Sequence, residues 1–97
     1  MHARVMHVTM KPERLAEAEA LWPVGTATFK DKGLHAGYMI ILDRAAGKVL
    51  SVTIWDGEES IRANENDDDL KEVMKPFKEF FAADPWSEYG EVGAHVV

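Results

Sequence analysis

No cysteine occurs among the 97 residues, which excludes disulfide bonds and thiolate chemistry. A cytoplasmic location is expected on that ground. No apolar run approaches the length a bilayer-spanning helix requires, and no signal peptide is read at the start. Basic residues are sparse. Lys and Arg total 11 against 17 Asp and Glu, a formal net charge of −6. Nucleic-acid binding needs a basic stripe, and these residues are scattered, so neither a nucleic-acid nor a membrane partner is expected. The four histidines, His2, His7, His35 and His95, lack the i, i+4 spacing of a helical metal site. Asp67-Asp68-Asp69 lacks the alternating ligands of a calcium loop. Gly25, Gly33 and Gly37 form no phosphate loop or dinucleotide fingerprint, and no nucleophile elbow is present. No metal site is expected.

What remains is a balanced chain. Hydrophobic residues make up 46% and charged residues 29%, the composition of a globular protein. A chain of this length makes one domain, residues 1–97, with a modest core.

Periodicity divides it into elements. His2 to Met10 alternates as a strand, with Arg4, Met6, Val8 and Met10 on one face and Ala3, Val5, His7 and Thr9 on the other. Pro12 can open a helix. Leu15, Ala18, Leu21 and Trp22 form its apolar stripe, and Pro23 is expected to kink or break it. A second helical piece runs to Lys32, before Gly33. Ala36 to Asp43 and Lys48 to Trp55 read as strands around a turn at Ala45-Ala46-Gly47. Glu58 to Asn64 reads as a short helix. An aspartate at 67, 68 or 69 caps the next helix, expected over Leu70 to Ala82 with Val73, Met74, Phe77, Phe80 and Phe81 on its buried side. Trp86 to Val97 reads as the last strand. The order β-α-β-β-α-β is the split, ferredoxin-like arrangement of an α+β domain with an antiparallel sheet.

The hairpin GYMIILDRAAGKVLSVTIW, Gly37 to Trp55, is apolar on both faces. An antiparallel hairpin in a small monomer usually turns one polar face to water. Ninety-seven residues supply few helices to cover a second face, so a second copy of the chain is the economical cover. A homodimer is expected.

Three pieces carry a resemblance: a first strand ending at Met10-Lys11-Pro12, the hairpin continuing as SVTIWDGEES (Ser51 to Ser60), and a last strand after a Phe-rich helix. Together they make the chain resemble the antibiotic biosynthesis monooxygenase-like group of dimeric α/β barrels. Gly33-Leu34-His35-Ala36-Gly37 stands where that group often has a Pro-Gly-Phe turn. The resemblance implies two sheets packed face to face with helices outside. For some members it implies oxidation of phenolic or hydroquinone-like rings by oxygen without a cofactor, and for others haem degradation. The residues haem degraders use fall on Met6, Asn64 and Met74, and none matches, so haem degradation is not expected.

Cofactor-free oxidation needs a dry aromatic pocket, a base and donors for the resulting anion. His7 and His95 are the candidate bases, since histidine titrates near neutrality. The strand order allows His7 to neighbour Thr53 and His95. Tyr38, Thr53, Trp55 and Tyr89 are the candidate substrate-binding residues, and a small aromatic or polyketide-like ligand is the expected partner. The competing reading is a non-catalytic dimer that binds a small molecule or only assembles, with the histidines hydrogen-bonded in its seam.

Overall fold

The computed structural model describes residues 1–97. His2–Thr9 forms β1, and its alternation of Arg4, Met6 and Val8 against Ala3, Val5 and His7 gives it two distinct faces. A short 3-10 turn at Pro12–Arg14 leads into α1, Leu15–Ala27. A second 3-10 turn at Lys30–Lys32 precedes β2, Leu34–Asp43, and β3, Lys48–Trp55. Two helices follow, α2 at Glu58–Glu65 and α3 at Asp68–Lys78, and then β4 at Trp86–Glu91. The sheet is antiparallel in the order β2-β3-β1-β4. This is the α+β, ferredoxin-like fold, with a third helix between β3 and β4.

Two features depart from expectation along the helices. Pro23 does not end α1, which continues to Ala27. Pro23 and Glu19 both lie on the exposed side, where the Glu19 carbonyl that proline leaves unbonded can meet water. The last helix ends at Lys78 rather than Ala82. Beyond it the chain is captured by the sheet. Phe80 accepts from the Lys11 amide, Phe81 bridges to Met10, and Ala82 donates to the Thr9 carbonyl. The cap of α3 is Asp67, whose carboxylate accepts from the Asp69 amide at 2.9 Å.

The final strand is shorter than expected, closing at Glu91 instead of Val97. Pairing with β1 ends at His2 opposite Glu91, and the Val92 amide reaches the Met1 carbonyl. Past that point no neighbouring backbone pairs with the chain, and Val96 and Val97 are fully exposed.

All three helices lie on one face of the sheet. The main core joins Val8, Met10 and Val49 of the sheet and its margin to Leu15, Ala18, Phe77 and Phe80. A second cluster joins Trp55 and Leu34 to Phe29 and Ile61. The β2–β3 turn is tied into this core by Gly47. Its carbonyl accepts from the Met10 amide, its φ is +72°, and a Cβ there would stand 1.9 Å from the Met10 carbonyl oxygen. Only glycine fits both constraints.

The opposite face of the sheet has no helix. Tyr38, Ile40 and Leu42 of β2 and Trp86 of β4 are 43–58% exposed there. Between them run the half-buried Leu50, Val52 and Ile54 of β3 and Ala3 and Val5 of β1.

Candidate functional site

A cavity of about 70 Å³ lies between the helices and the sheet. Its floor is the helix-facing row of the strands: Arg4, Met6, Val8 and Met10, then Met39, then Val49, Ser51, Thr53 and Trp55. Trp22 of α1, Phe29 of the turn after it, and Val73, Met74 and Phe77 of α3 roof it. The lining is mostly apolar, with 13 hydrophobic residues of 17, so binding there is driven by burial and oriented by the few polar groups. The volume is below the roughly 150 Å³ of an apolar cavity that takes benzene. A single small ring therefore enters only as the lining yields, which the thioethers of Met6, Met10, Met39 and Met74 allow.

Two indoles frame the cavity. Trp22 donates from Nε1 to Ser51 Oγ at 3.1 Å, pinning α1 to β3. Gly37 leaves room for its approach: a Cβ there would lie a tight 3.0 Å from Trp22 Cη2. Trp55 is 1% exposed and donates from Nε1 to Thr53 Oγ1 at 2.8 Å.

The buried polar residues of the chain are Arg4, Thr53 and Asn64; Arg4 and Thr53 line one end of this space, and Asn64 bonds Arg4 from outside the lining. Arg4 pairs across the sheet with Thr53. Its guanidinium lies 5.4 Å from the Trp55 ring centroid, a cation–π contact. Arg4 Nη2 donates to Asn64 Oδ1 at 2.7 Å, and Nη1 reaches Glu65 Oε2 at 3.4 Å. Glu65 also accepts from the Tyr89 hydroxyl at 2.6 Å. That bond to a carboxylate raises the Tyr89 phenol above its ordinary pKa, with partial burial adding to it, so Tyr89 stays a donor. Asn64 Nδ2 is buried and has no hydrogen-bond partner. An orphan donor of this kind costs about 1–3 kcal/mol.

The sequence-derived candidates divide between the two faces. Thr53 and Trp55 line the cavity. Tyr89 lies outside the cavity lining, its hydroxyl bonded to Glu65 in a separate surface hollow beside His2 and Glu58. Tyr38 is 57% exposed on the helix-free face. His7 does not adjoin Thr53 or His95; its strand partners are Leu50 and Trp86. Its ring stacks on Trp86 and its Nε2 bonds Glu88 at 2.7 Å, all on the helix-free face. His95 lies exposed in the tail beyond β4. The two histidines are therefore brought neither to the cavity nor to each other. Sequence reasoning missed Arg4 and Asn64. The signal for Arg4 was its place in the same alternating row as Met6, Val8 and Met10. For Asn64 it was its position three residues after Ile61, on the buried side of α2.

No protein-family model matches the chain, and no curated protein does. Solved structures do. One is a "putative antibiotic biosynthesis monooxygenase" of Bordetella bronchiseptica, with a TM-score of 0.83 at 19% identity, covering 96% of this chain and 97% of that one. The fold is the antibiotic biosynthesis monooxygenase-like fold. A protein of Caulobacter crescentus carrying the same description has a TM-score of 0.82 at 16% identity, covering 96% and 90% of the two chains. A conserved protein of Methanosarcina mazei shares the fold at a TM-score of 0.76 and 18% identity, over 93% and 91%. No helix here is long and apolar enough to cross a membrane. No group of three His, Cys, Asp or Glu side chains converges as a metal-binding set.

Proposed function

We propose that the protein is a homodimer that binds a small aromatic molecule in the cavity between its helices and sheet. The observation that carries this is the apolar cavity framed by Trp22 and Trp55, whose polar end is a buried Arg4. The dimer reading rests on the helix-free sheet face. An apolar surface of that extent, with Tyr38, Ile40, Leu42 and Trp86 exposed, favours association, and a two-fold pairing of the same face is the commonest closed solution. Calorimetric titration with phenol tests the binding. Saturable heat with a negative heat-capacity change is expected; heat of dilution alone contradicts the proposal.

A second reading, cofactor-free oxygenation of the bound ring, is favoured by the description that the Bordetella and Caulobacter proteins carry. For a hydroquinone the reaction balances as hydroquinone plus O2 giving hydroxyquinone plus water, the ring supplying all four electrons. The cavity has no carboxylate or imidazole among its lining residues, so Arg4 would act by holding the ring oxygen as its anion rather than by taking a proton. Oxygen uptake with a hydroquinone in the presence of a chelator tests this. Uptake saturating with substrate above the buffer rate supports it, and uptake at the buffer rate contradicts it.

A further inference from the structure

The buried polar end of the cavity carries one more inference, which rests on the cavity being a binding site. Arg4 brings five N–H groups and a fixed charge, and the structure gives it two side-chain hydrogen bonds. The one to Asn64 is short at 2.7 Å; the one to Glu65 is long at 3.4 Å. Glu65 is held more tightly by Tyr89, at 2.6 Å on the outer side. The Asn64 amide has one sensible orientation, because a flipped amide would set its NH2 against the guanidinium. In that orientation Nδ2 is a buried donor without an acceptor. Of the acceptors nearby, Asn64 Oδ1 is engaged by Arg4, Thr53 Oγ1 by Trp55 and Glu65 Oε2 by Tyr89.

Arg4 therefore has N–H groups and a fixed charge left to offer, offset only by the long contact to Glu65. A neutral hydroxyl would gain only a neutral acceptor's bond to the guanidinium. A carboxylate or phenolate oxygen only accepts. We propose that Arg4, oriented by its bond to Asn64, binds an anionic oxygen on the aromatic ligand and sets a preference for the anion over its neutral analogue.

Benzoate and benzyl alcohol, titrated by calorimetry near neutral pH, make the comparison. The native protein is expected to bind benzoate at least about tenfold more tightly, the scale of one charged hydrogen bond. Arg4→Gln should erase the difference while keeping the affinity for benzyl alcohol. Asn64→Asp, which sets a carboxylate against the guanidinium and offsets its charge, carries the same expectation should Arg4→Gln fail to fold. Equal affinity for the two probes in the native protein overturns the anion preference and leaves cavity binding standing. Failure of both probes and of phenol to bind overturns both. A benzoate preference that persists in folded Arg4→Gln and Asn64→Asp variants assigns the anion to another site and refutes the proposal.

Discussion

His7 lies flat on Trp86, ring centroids 3.9 Å apart and planes 1° from parallel, on the side of the sheet away from the helices. Its Nε2 is tied to Glu88. Neither contact opens on the cavity, so His7→Ala together with His95→Ala is expected to leave phenol affinity within about twofold of native, the range of substitutions remote from a site. Loss of binding in a folded double variant would return the histidines to the site.

Ile40 is 43% exposed in the single chain, so a charge there is tolerable to a monomer and costly in a buried seam. Ile40→Asp is expected to give a monomer by light scattering with unchanged far-ultraviolet circular dichroism. A variant that keeps the native mass would remove this sheet face as the interface.

Thr53 Oγ1 is the acceptor for a Trp55 N–H that is otherwise sealed from water. Thr53→Val keeps the shape and strands that donor. A loss of about 1–3 kcal/mol in denaturant unfolding is expected; no loss would mean that the indole finds another acceptor.

The Asp67 carboxyl is held below its ordinary pKa, first by the hydrogen bond from Lys32 at 2.8 Å and then by the Asp69 amide. A depressed carboxyl stabilises the fold above its unfolded pKa, and that contribution fades as pH falls through the lowered value. Lys32 is shifted upward by the same bond and by Asp69, so the contact is also lost as pH rises through the raised lysine value. Asp67→Asn keeps the cap and removes the charge. Its melting temperature should fall short of native at neutral pH and converge on it in acid. A deficit constant with pH would point to the cap geometry instead.

The alternation of β1 and the hairpin was legible because a period of two separates faces cleanly. Which face meets the helices was not, because Tyr38, Ile40 and Leu42 are as apolar as the row containing Met39 and Ile41. His7 fell on the wrong side of that ambiguity for a cavity base. The span after Glu91 alternates convincingly, yet a strand needs a partner backbone, and alternation carries no information about one. Pro23 shows the converse: tertiary contacts of Leu15, Ala18 and Trp22 hold α1 together across a local breaker. Arg4 reads in isolation as a surface charge. Only its burial beside Asn64 and Trp55 makes it the polar end of a site.

The most direct measurement is a phenol titration followed on the three indole N–H signals by nitrogen–proton correlation NMR. Trp22 and Trp55 line the cavity and Trp86 lies across the sheet. Saturable shifts of the Trp22 and Trp55 signals with Trp86 unmoved are predicted. Shifts confined to Trp86, or absent from all three, would contradict binding between the helices and the sheet.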